Sequence, residues 1–87
     1  MAVESYGTLV GYYNETLKIG FIMWNGNSTA PTAGEKFFSL PAVYTPVQNA
    51  GTPIRNGDVL EVRLDGHAKV TLSTATWSQG TIMYPLK

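Results

Sequence analysis

Asp58-Val59-Leu60-Glu61-Val62-Arg63-Leu64-Asp65-Gly66-His67-Ala68-Lys69-Val70-Thr71-Leu72 carries the plainest structural signal in this 87-residue chain. Leu60, Val62 and Leu64 alternate with Glu61 and Arg63; beyond Asp65-Gly66 the alternation resumes, with Ala68, Val70 and Leu72 against His67, Lys69 and Thr71. Successive strand side chains point to opposite faces, so an apolar set with period two marks a strand buried on one side and wet on the other. Asp-Gly supplies the backbone freedom of a tight hairpin turn. The stretch therefore predicts an antiparallel hairpin with Glu61 and Arg63 as solvated charges and His67 as a solvated residue beside the turn.

Outward from this hairpin the same chemistry recurs. Strands are expected over about 6–13, 18–24, 35–40 and 79–84, the third ended by Pro41, which has no N–H to give a ladder. Residues 14–17 form a turn between the first two, and Asn25-Gly26-Asn27 reads as a second. Residues 1–5 are expected as a lead-in, 28–34 as a loop of Ser, Thr, Ala, Pro and Gly, and 42–53, with Pro46, Gly51 and Pro53, as the longest connection. No segment repeats apolar residues at helical spacing over three turns. The expectation is one all-β domain of five or six antiparallel strands, a sandwich or a small closed barrel, with the barrel preferred because closure removes strand edges.

A chain of this length buries only about 60–65% of the surface it exposes when unfolded, so its core is thin. It has no cysteine and one histidine, which excludes disulfides and any Cys/His zinc set. Six basic and six acidic side chains cancel, removing the long-range attraction that duplex-DNA binders use. The first twenty residues hold no basic run followed by an apolar one, and no window nears the roughly 20 apolar residues that span a bilayer. A cytoplasmic protein without membrane partners is expected. Glu4, Glu15, Glu35, Asp58, Glu61 and Asp65 make no recognisable acid/base pair, His67 has no nucleophile signature beside it, and the glycines match no phosphate-binding fingerprint. The chain reads as a non-enzyme without cofactor or metal.

The segment Tyr12-Tyr13-Asn14-Glu15-Thr16-Leu17-Lys18-Ile19-Gly20-Phe21-Ile22, preceded by Gly7-Thr8, resembles the first motif of the cold-shock domain family, a five-stranded OB-type barrel. Lys36-Phe37-Phe38-Ser39-Leu40-Pro41-Ala42-Val43 is similar to its second motif, and Gly57 followed by Val59, Leu60 and Val62 to a later strand, so the likeness covers roughly residues 7–72. It implies a cold-shock-like barrel followed by an extension at about 74–87. It also implies binding of single-stranded RNA or DNA, with Tyr12, Phe21 and Phe37 as stacking rings and Lys18 beside the phosphates. The chain departs from the family at Gly11, Ile19, Ser39 and Leu40, where the family has a lysine, a ring, a histidine and a ring.

These departures and the zero net charge motivate an alternative from another class. In it the chain is a protein-interaction or assembly module, of the kind small viral structural, accessory or inhibitor proteins provide. Trp24, Trp77 and Tyr84 would then meet a protein partner or a second copy, since interfaces favour exposed Trp and Tyr.

Overall fold

The 58–72 stretch forms its hairpin in the computed structural model, which describes residues 1–26, 34–72 and 78–87. The strands, in chain order, are β1 (Ala2–Glu4), β2 (Gly7–Asn14), β3 (Ile19–Gly26), β4 (Gly34–Ser39), β5 (Ala50–Pro53), β6 (Val59–Val62), β7 (His67–Leu72) and β8 (Gln79–Pro85). Single 3-10 turns lie at Ala42–Tyr44 and Arg55–Gly57. In the β6–β7 hairpin Val62 pairs with Ala68, Arg63 N–H donates to the His67 carbonyl at 2.9 Å, and Gly66 N–H donates to the Arg63 carbonyl at 3.3 Å. Gly66 has φ 87°, so the loop is a three-residue turn closed by a left-handed glycine, not a two-residue one. Leu64 has thereby left the ladder and is exposed, contrary to its place in the apolar alternation.

The strands make two antiparallel four-stranded sheets, in the orders β1-β2-β3-β8 and β4-β7-β6-β5. In the second, β5, β6 and β7 follow one another and β4 lies beside β7, a Greek-key order. Alternation assigns Leu9, Ile22, Trp24, Ile82 and Tyr84 to the inner face of the first sheet. Phe38, Leu60, Val62, Ala68, Val70 and Leu72 line the inner face of the second, and all belong to one core cluster. Trp24, 1% exposed, sits in its middle with its ring 5.6 Å from that of Phe38, and its indole N–H donates to Ser78 Oγ at 3.2 Å. Two glycines make room for the large rings: a Cβ on Gly7 would lie 2.6 Å from the Trp24 ring, and one on Gly20 would lie 2.5 Å from the Tyr84 ring.

The all-β class stands as expected, but the barrel does not close. Instead of five or six strands in one barrel there are two sheets, with no ladder joining them among the described residues. The physical reason is that the edges are managed in other ways. Strand β1 is three residues long, β5 is four residues long and ends at Pro53, and β8 ends at Pro85 with Ile54 packed against Gly80.

Three further expectations are corrected. The lead-in contains β1, the 42–53 connection contains all of β5, and Asn25 and Gly26 continue β3 opposite Thr8 and Gly7 instead of turning. The C-terminal extension is an integral strand: β8 pairs with β3 from Asn25↔Gln79 to Ile19↔Pro85. Among the described residues no helix is long and apolar enough to cross a membrane.

Candidate functional site

Because Leu9, Ile22, Trp24, Ile82 and Tyr84 point inward, their neighbours along β2, β3 and β8 must point out. The ladder registers align these outward positions in rows: Val3, Thr8, Asn25 and Gln79; then Val10, Met23 and Thr81; then Tyr12, Phe21 and Met83; then Asn14, Ile19 and Pro85. No formally charged residue stands at any of them. Val3 is 82% exposed, Tyr12 61% and Met83 68%, while Val10, Ile19, Phe21 and Met23 are half-buried among their neighbours. The Tyr12 and Phe21 rings lie side by side, 6.3 Å between centroids and tilted by 48°. Two of the polar positions on this face pair with each other and a third with the adjoining turn: Gln79 Nε2 donates to Asn25 Oδ1 at 2.7 Å, and Asn14 Oδ1 accepts from Leu17 N–H at 2.9 Å.

Charge appears at the rim. At one corner Arg55 borders a depression shared with Met23, Asn25, Gln79 and Thr81. At the far end Lys18, with φ 55° in the β2–β3 turn, lines another with Glu15, Thr45 and Lys87, and its carbonyl accepts from Leu86 N–H at 2.8 Å.

The outer face of the other sheet is built on the opposite chemistry. Lys69 Nζ lies 3.3 Å from Glu61 and 3.5 Å from Glu35, and Arg63 lies 3.3 Å from both Glu61 and Asp65. His67 Nδ1 is 3.2 Å from Asp65 Oδ1. Against a desolvation that raises it, the hydrogen bonds and charges of His67 and Arg63 hold the Asp65 carboxyl below its usual value. Phe37, 53% exposed, stands on this face opposite Lys69, with its ring edge-on to His67 at 6.2 Å.

Of the residues expected to stack bases, Tyr12 and Phe21 are brought together and Phe37 is not. Phe38 enters the core from β4, so its neighbour Phe37 must leave the molecule on the far side, with both sheets between it and Tyr12. Trp24 and Tyr84, expected as surface anchors, are core side chains. Tyr84 donates its hydroxyl to the Tyr44 carbonyl at 2.8 Å, and burial, then Tyr44, pushes its pKa up to about 12. Trp77 lies outside the described residues. The residues that sequence reasoning missed are Val3, Val10, Met23 and Met83. Their signal was the run of uncharged positions alternating with the buried ones on β2, β3 and β8, visible only once β8 is set beside β3.

Among the described residues no three His, Asp or Glu side chains gather where a metal ion would be held. Comparison with protein-family models, with curated proteins and with solved structures gives no match.

Proposed function

We propose that this chain is a protein-interaction or assembly module that docks through the outer face of the β1-β2-β3-β8 sheet. The observation that carries the reading is the charge-free surface of four paired strands, apolar through the Val10–Met23 and Tyr12–Phe21–Met83 rows, with Tyr12 and Met83 more than half exposed on it. Protein interfaces are depleted of charge at their centres, enriched in Tyr, Phe and Met, and polar at the rim; Tyr12, Phe21, Met23 and Met83 inside a border holding Lys18 and Arg55 have that anatomy. Covering a ring or thioether of this size contributes on the order of 1–3 kcal/mol, so a few of them supply the centre of an interface.

Single-stranded nucleic-acid binding is the second reading, favoured by the adjacent Tyr12 and Phe21 rings and by the cold-shock resemblance. It has two rings instead of three and no cation among them, which leaves it stacking without backbone attraction. One experiment separates the two: p-benzoylphenylalanine installed in place of Tyr12, and separately in place of Phe37, followed by irradiation in cells that make the protein. The first reading expects a discrete, nuclease-resistant protein adduct from position 12 and none from position 37. A nuclease-sensitive adduct at position 12 would transfer the face to the second reading, and equal yields at both positions would overturn the first.

A further inference from the structure

We infer that the occupant of the β1-β2-β3-β8 face is a second copy of this chain, packed face to face about a two-fold axis. The inference rests on the docking role proposed for that face and names its partner. Three observations carry it.

The first is charge. In a two-fold interface the same patch serves both partners, so a charged residue near the axis meets its own copy or is left buried without a counter-ion. None of the outward positions on β2, β3 and β8 carries a formal charge, and the chain as a whole has net charge zero, so two copies approach without long-range repulsion.

The second is size. Three strands side by side over seven residues span roughly 14 by 23 Å at ordinary strand spacing and rise. With β1 and the corrugation of the side chains this is on the order of 600 Å² of accessible surface per copy, or roughly 1,200 Å² in a pair. That reaches the lower end of specific, stable interfaces.

The third is composition along the rows. An axis through the Tyr12–Phe21–Met83 row sets the rings of one copy against rings and thioethers of the other, and sulfur–aromatic contacts are favourable. The Asn25–Gln79 bond already pairs the amides at one end of the face, so less polar demand is stranded when water leaves.

Sedimentation velocity of the full chain across a wide concentration range tests this, with Phe21→Lys and Met83→Lys as face variants and Phe37→Lys as the control on the opposite sheet. The expected result is a reversible dimer, weakened at least about tenfold by either face variant and unaltered by the control. Methyl cross-saturation between labelled and unlabelled wild-type copies gives the same answer without a substitution, because Met23 and Met83 must receive saturation across the interface. A monomer at every concentration, or a dimer that the face variants leave intact, overturns the inference. If the chain is monomeric and position 12 still gives a protein adduct in cells, the docking face stands and its partner is a different protein. If that adduct is also missing, both fall.

Discussion

The two outer faces of this small sandwich rest on one shared core and are each built from four antiparallel strands, yet they meet their surroundings in opposite ways. On the β4-β7-β6-β5 side, Glu35, Glu61, Arg63, Asp65 and Lys69 form a connected ladder of ion pairs. On the β1-β2-β3-β8 side the same outward positions hold Val3, Val10, Tyr12, Ile19, Phe21, Met23 and Met83 and no charge. An antiparallel sheet packed on one face normally turns polar side chains to water on the other. The charged face shows that this chain follows that rule where a face meets solvent. The neutral face departs from that rule, and on the docking role proposed for it this is the surface that a partner covers.

The contrast can be broken at its foundation by removing the core on which both faces stand. Trp24→Ala should cost about 3–5 kcal/mol in denaturant unfolding, because it deletes the largest buried ring and leaves a cavity. A loss under about 1 kcal/mol would mean that the faces do not share a core.

Next in size, Gly20→Ala should cost about 1–3 kcal/mol, since the added carbon meets the Tyr84 ring beneath the neutral face. Tyr84→Phe should cost a similar amount near neutral pH by leaving the Tyr44 carbonyl without its donor. It should also change the pH dependence. With its pKa pushed from 10.0 to about 12, folded Tyr84 keeps a proton that the unfolded chain releases. The folded state therefore binds more protons in that interval, and its stability, full below pH 10, falls as pH rises towards 12 by about 1–3 kcal/mol. Unfolding midpoints of Tyr84→Phe followed through the same interval should fall less steeply, with burial of the Tyr6 and Tyr44 hydroxyls leaving a residual slope; a slope equal to the parent's would assign it elsewhere.

The smallest effect belongs to the charged face. Lys69→Met removes both of its ion pairs but should change stability by about 1 kcal/mol or less, and less still in high salt. The lowered Asp65 pKa adds stability that is present above its ordinary value of 3.8 and is lost as pH falls below it. The neutral face has no such group, so association through it should be nearly indifferent to salt and to pH between about 5 and 9.

How far the sequence reached differs between the two faces for a physical reason. The charged face was legible because its hairpin is local: alternation and an Asp-Gly turn lie within fifteen consecutive residues, and pairing follows from them. Its one error, Leu64, arose where a three-residue loop took a residue out of the ladder. The neutral face is assembled across the chain, from β1, β2, β3 and β8, and alternation says which residues share a strand face without saying which strands adjoin. The cold-shock resemblance groups Phe37 with Tyr12 and Phe21, and alternation could not correct it, because the pattern carries no record of which sheet a strand joins. Trp24 and Tyr84, each next to a turn or a terminus, gave no sign that Gly7 and Gly20 had cleared space for them inside.

The most direct test of the docking claim uses the charged face as its internal reference. Oxidative footprinting would compare Met83 and Tyr12 with Phe37, once on the protein in the cells that make it and once on purified protein at high dilution. Oxidation of Met83 and Tyr12 should fall several-fold in the cell relative to Phe37. An unchanged ratio would mean that the neutral face is as open to water in its own setting as the charged one, and the claim would be wrong.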